Sequence, residues 1–195
     1  APVCALRATG RTRGKGGLFL SGECMEVWMQ GYLRAVQEAF GERVRFVGLQ
    51  GSRARGEARP GSDIDVVLLL DELSWQDVLT YRRAIEELPL RELVCGFVSG
   101  VEELAAWDAG ELVFFYHDTV PVFGSLEFVR SLFGPQDVLR AVRQGACGVC
   151  HAVVHNGAHA RSADALREIC KSAVFVLRAA CFARTGQWAL HPGDL

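Results

Sequence analysis

An α/β (α+β) fold followed by an α-helical bundle unit is predicted from three observations. The run Ile64-Asp65-Val66-Val67-Leu68-Leu69-Leu70 is apolar almost without interruption, as suits a strand covered on both faces. Up to residue 134, helical periodicities alternate with short strand-like runs around it. Beyond Gly134-Pro135 the strand signals stop, and two long helical stretches remain.

Each element has its own signal. From Met25, the residues Val27, Trp28, Gly31, Leu33, Val36 and Phe40 recur at helical steps, and Gly41 stands where a C-cap belongs. Residues 43–49 alternate as a strand and run into GSRARGEARPGS, a turn-rich stretch that feeds the apolar strand. Residues 74–88 read as a helix with Ser74 as N-cap, residues 93–99 as a strand, and residues 101–107 as a short helix. The mixed aromatic and β-branched run 111–123 reads as a short helix followed by a strand. After Pro135, residues 137–156 and 162–184 read as helices separated by an Asn156-Gly157 stop. The second is expected to keep Leu166, Ile169, Cys170, Ala173, Leu177, Ala180 and Cys181 on one face.

Composition narrows the class. Of the 195 residues, 50% are hydrophobic and 23% charged, the balance of a folded globular protein rather than a disordered chain. A net charge of −2 argues against a general nucleic-acid coat or a polybasic membrane binder. No run approaches the roughly 18 to 20 apolar residues of a membrane span, and the first residues lack the apolar core of a secretory signal. Seven cysteines without a disulfide-like spacing predict a reducing, cytoplasmic setting. The expected organisation is a flexible, basic, glycine-rich extension over residues 1–24, an α/β domain over 25–134 and a helical domain over 135–195. The last of these carries seven basic against four acidic residues. Residues 191–195 resemble the approach to another helix.

Chemistry concentrates in one stretch. Gly51-Ser52-Arg53-Ala54-Arg55-Gly56 is followed after six residues by Asp63-Ile64-Asp65, which opens the buried strand. Carboxylates at i and i+2 of a strand share a face. They stand at the end of a glycine-rich turn whose backbone N–H groups and serine hydroxyl suit a phosphate. Two such neighbours repel unless a cation lies between them, and hard oxygen ligands with substrate phosphates favour Mg²⁺. A solvated loop entering a strand would leave this paired placement unexplained.

The string GSRARGEARPGSDID with VVLLL behind it resembles the signature of the nucleotidyltransferase superfamily, which includes DNA polymerase β, the kanamycin-type enzymes and the minimal nucleotidyltransferases paired with HEPN proteins. The resemblance implies a mixed β-sheet, and it implies that Gly51, Ser52, Arg55 and Ser62 bind the nucleotide. It also implies that Asp63 and Asp65 are the catalytic residues, holding one or two Mg²⁺ ions. The reaction implied is transfer of a nucleoside monophosphate, AMP from ATP foremost, to a small-molecule or protein hydroxyl with release of pyrophosphate. Arg53 and Arg59 also lie in or near the loop, where arginines are more often solvated.

One feature departs from the family. Its active members carry a further acid on a later strand, and the matching strand here, Leu93-Val94-Cys95-Gly96-Phe97-Val98-Ser99, contains none. A base from Glu92, Asp118 or the helical part, an acceptor that needs little activation, and lost transfer activity all remain open. The alternative function is therefore a catalytically decayed nucleotide-binding interaction module, or an antitoxin-type partner of a HEPN protein. Residues 177–186 look like the C-terminal helices of kanamycin-type enzymes and HEPN domains, and the former allow a homodimer. Arg143 and His151 are spaced too widely for the HEPN nuclease pattern.

Cys147-Gly148-Val149-Cys150-His151 spells a c-type haem attachment sequence, and Cys147, His151 and His155 recur at helical steps that would suit zinc. The favoured reading is of small core cysteines and histidines lining a cleft. Trp28, Trp75, Trp107 and Trp188 are expected to pack in the core or between domains, and Cys95 to be buried.

Overall fold

The computed structural model describes residues 22–189. The expected extension over residues 1–24 lies, but for its last three residues, outside the described residues, as do residues 191–195. The chain enters with helix α1 (Gly22–Phe40). Gly41 follows at φ +58, the left-handed conformation that favours glycine and ends a helix.

Four strands form one mixed sheet: β1 (Val44–Gln50), β2 (Ile64–Leu70), β3 (Val94–Gly100) and β4 (Val120–Phe123). Their order is β3-β2-β1-β4. β1 runs antiparallel to both β2 and β4, and β2 runs parallel to β3. β2 is thus an inner strand, and the reason for its unbroken apolar character is direct. Ile64, Val66 and Leu68 pack with α1 residues such as Tyr32 and Val36 on one face. Val67 and Leu69 pack on the other with Phe46, Leu112 and Val113. Asp65 has the parity of Val67 and Leu69, so it belongs to the second face at the open end of the strand.

The first face is closed by α1 and α3 (Trp75–Ala84). Ser74 caps α3 through a reciprocal box with Asp77. Arg43 reaches across to Asp77 at 2.7 Å and Asp71 at 3.0 Å. α3 ends at Ala84 rather than at 88, because Pro89 disfavours helical backbone before it and Leu90 turns at φ 60. Trp28 donates its indole N–H to the Pro89 carbonyl at 2.7 Å, which fastens that turn onto α1.

The second face is covered by α4 (Val101–Ala105), α5 (Ala109–Asp118), α6 (Glu127–Arg130) and the start of α7 (Pro135–His155). α8 (Ala163–Thr185) returns along α7, and its Phe182 joins this second core. Two corrections arise here. Asn156-Gly157 does not stop the helix: residues Asn156–Ala160 continue it as a π-helical turn. The Asn156 amide is spent on the Ser162 backbone, donating to its carbonyl and accepting from its N–H, so it closes the turn beyond rather than breaking the helix. The predicted buried stripe of α8 is also displaced. Leu166 and Leu177 are 48% and 55% exposed, whereas Arg178 and Ala179 are buried, because α8 meets α7 and the candidate-site loop through a different stripe.

The tryptophans divide. Trp28 is core and Trp188 stacks on His117 at 4.4 Å, as expected, but Trp75 is 74% exposed and Trp107 is only edge-packed on Phe97. Cys95, expected to be buried, is exposed on the edge strand β3. No helix among the described residues is long and apolar enough to cross a membrane.

Candidate active site

The turn between β1 and β2 begins with the four-residue helix α2 (Gly51–Ala54). Gly51 stands at φ +71, and a Cβ there would fall 2.0 Å from Oδ2 of Asp65. Only glycine lets the turn backbone come this close to that carboxylate. Ser52 is half-buried in the first turn of α2, and its carbonyl accepts from the Glu57 N–H at 2.8 Å.

Arg53 is buried beneath the loop. It donates Nε–H to the Asp63 carbonyl at 2.9 Å and Nη2–H to the Ser62 carbonyl at 2.6 Å, so the loop is tied back on itself from inside. Burial lowers its pKa, opposed by the charges of Asp65 and Asp63. An arginine on a turn reads as solvated, and no spacing signal marked this one as the internal strut. Ser62 closes the end of the loop: its hydroxyl accepts from the Arg59 N–H at 2.9 Å.

Asp63 is exposed, and Asp65, two residues on, is half-buried. Burial raises the Asp65 pKa first, Asp63 and Asp118 raise it further, and Arg55 and Arg53 pull against them. Asp118, at the end of α5, thus belongs to the same electrostatic cluster. Gln50 of β1 donates to the Thr119 hydroxyl at 2.7 Å, and that hydroxyl donates to the Phe115 carbonyl. These bonds fasten the end of α5 beside the end of β1. The Gly51 N–H then reaches Oδ2 of Asp118 over 3.4 Å.

Arg55 is committed to carboxylates. It contacts Asp118 at 2.6 Å and Glu57 at 2.9 Å, and these partners outweigh burial to raise its pKa. Across the sheet, Cys95 of β3 is the register partner of Asp65. The position facing Asp65 from the neighbouring strand therefore carries a thiol, and the further carboxylate acting on Asp65 is Asp118 of α5. Asp118 stands more than fifty residues after Asp65 in the chain and has no motif of its own, so only the fold brings it here.

The second cluster weighed from the sequence is separate. Cys147, Cys150, His151 and His155 are exposed along α7, and the His155 and His159 rings lie 5.0 Å apart because the π-helical turn prolongs the helix. Among the described residues no group of three or more His, Cys, Asp or Glu side chains is arranged to hold a metal ion.

Residues 29–98 match the nucleotidyltransferase domain family, a span that includes Gly51, Ser52, Asp63 and Asp65 and ends on β3. No curated protein matches the chain. Among solved structures, one described as "Crystal structure of the toxin-antitoxin with AMP-PNP" is similar at 17% identity and a TM-score of 0.34, covering 68% of this chain and 93% of that one.

Proposed function

On the premise that residues 29–98 form a nucleotidyltransferase domain, we propose that this chain binds a nucleoside triphosphate, ATP foremost, at the Asp63–Asp65 end of β2. It transfers the nucleoside monophosphate to a hydroxyl of a small molecule or a protein and releases pyrophosphate. The observation that carries this reading is the Gly51 turn set directly against the Asp65 carboxylate, with Asp63 two residues before it and Asp118 on the Gly51 N–H, so that Asp65 is pushed up by burial and by both acids. Such crowding favours a cation.

The donors are hard oxygens and fit Mg²⁺. Asp63 and Asp65 would hold it, and it would supply charge against the triphosphate and the leaving pyrophosphate. The chain's own residues do the rest. The Gly51-Ser52 backbone receives the phosphates where the turn lies against Asp65 with no side chain in the way. Arg53 keeps that turn shaped from below. Arg55 holds Asp118, whose Oδ2 takes the proton of the attacking hydroxyl. The six described cysteines, all unpaired, suit a cytoplasmic setting.

A second reading is favoured by one observation, the thiol of Cys95 opposite Asp65. It holds that the chain binds nucleotide and acts as an interaction module without turnover. Thermal melting with each nucleoside triphosphate, with and without Mg²⁺, tests what the two readings share. A ligand that binds only the folded state adds about 2.7 kcal/mol at a hundredfold excess over its dissociation constant. A Mg²⁺-dependent rise that vanishes in Asp63→Asn/Asp65→Asn supports nucleotide binding, and no shift with any nucleotide sinks it. Pyrophosphate release then separates enzyme from module.

A further inference from the structure

The loop bearing Arg55 is not held by its own domain alone. Phe175 of α8 has two guanidinium groups over its ring, Arg55 at 5.4 Å and Arg178 at 5.3 Å from the centroid. Glu57 spans the same pair, with Oε2 2.9 Å from Arg55 and Oε1 3.9 Å from Arg178. The Arg178 side chain is only 2% exposed and that of Arg55 12%, so water screens the two guanidinium groups little, while Glu57 between them is 33% exposed. The result is a closed arrangement of ring, carboxylate and two arginines that joins the turn after β1 to the C-terminal helix.

We propose that Phe175 and Arg178 are positioning residues: they fix the Arg55 guanidinium, and through it the aim of Asp118 at the nucleotide end of β2. This inference rests on the nucleotide reading above and adds that the α7–α8 hairpin sets nucleotide affinity. The physical case is one of entropy and direction. A free arginine side chain gives up much of its rotamer freedom when it is held in one geometry. Arg55 must hold Asp118 at 2.6 Å while that carboxylate is repelled by Asp65. A ring fixed on a helix and a carboxylate shared with a buried arginine restrict Arg55 before any ligand arrives. Losing a cation from over a ring is felt as a several-fold change in affinity.

Isothermal titration of the full chain with MgATP, and with the other three Mg²⁺-nucleoside triphosphates, tests this. Phe175→Leu should weaken binding about fivefold, whereas Phe175→Tyr, which keeps the ring, should stay within about twofold of wild type. In an Arg55→Ala background, adding Phe175→Leu should cause no further loss, because the ring acts through the arginine. General damage to the helix would instead add equally in both backgrounds. Arg178→Lys, which keeps the charge but not the planar face, should behave like Phe175→Leu and serves if the latter does not fold. Wild-type affinity in Phe175→Leu, or equal losses in the two backgrounds, would overturn the positioning role while leaving the nucleotide reading intact. A wild-type chain that binds no triphosphate would overturn the nucleotide reading, and the positioning role with it.

Discussion

Gly51 and Asp65 stand so close that a single added carbon at Gly51 would lie 2.0 Å from the Asp65 carboxylate. The turn after β1 and the start of β2 are therefore one unit, and the Gly51 backbone and the acid beside it cannot be moved independently. Gly51→Ala meets both this clash and a left-handed φ of +71. It should cost about 1 to 3 kcal/mol of stability, measured by urea unfolding, and abolish the Mg²⁺-nucleotide shift in melting temperature. An alanine variant that keeps both would show that the close approach has no role.

Arg53 makes a different prediction, because it serves the loop rather than the ligand. Arg53→Met keeps the buried stem but leaves the Asp63 and Ser62 carbonyls without their donor. A loss of about 2 kcal/mol in chemical unfolding is expected, in line with orphaned polar groups. Hydrogen exchange should quicken across residues 55–63 before it does in β2.

Asp118→Asn distinguishes the α5 carboxylate from a bystander. The substitution keeps the shape but removes the charge that Arg55 pairs with and that Asp65 opposes. Pyrophosphate release should fall by about two orders of magnitude if the group takes the acceptor's proton. Nucleotide affinity, read by titration calorimetry, should fall only about fivefold, as when the Arg55 clamp on this carboxylate is loosened. Equal losses in both would assign Asp118 to binding instead.

His117, the residue before Asp118 at the end of α5, gives the chain a pH dependence of its own. Burial first, and then the Arg130 charge, push its pKa down to about 4. Its Nε2 is buried without a hydrogen-bond partner among the described residues, while the ring stacks on Trp188. The folded state thus holds this ring neutral while the unfolded chain takes up a proton near the ordinary value of about 6.5. Stability from this group is complete above pH 6.5 and is lost as pH falls toward 4. Urea midpoints across that window should decline in the wild type and decline less in His117→Phe. Parallel declines would refute the assignment.

Local patterns made much of this protein legible in its sequence. The β2 strand could be recognised because every position but Asp65 is apolar, which follows from burial on both faces. The N-cap at Ser74, the glycine after α1 and the Gly51-to-Asp65 signature each depend on residues a few positions apart, so the chemistry and its spacing are written side by side. Tertiary structure alone decided what depends on residues far apart. Asp118 joins Asp65 because β4 returns antiparallel to β1 and carries the end of α5 to the mouth of the turn. Arg53 is internal because its guanidinium meets the Ser62 and Asp63 carbonyls, nine and ten residues on, where the loop folds back. Cys95 is exposed because β3 lies at the sheet's edge. Phe175 and Arg178 reach Arg55 because α8 folds back along α7. A charge in a chain states its sign but not its distance from another, and electrostatic partnership is a matter of distance.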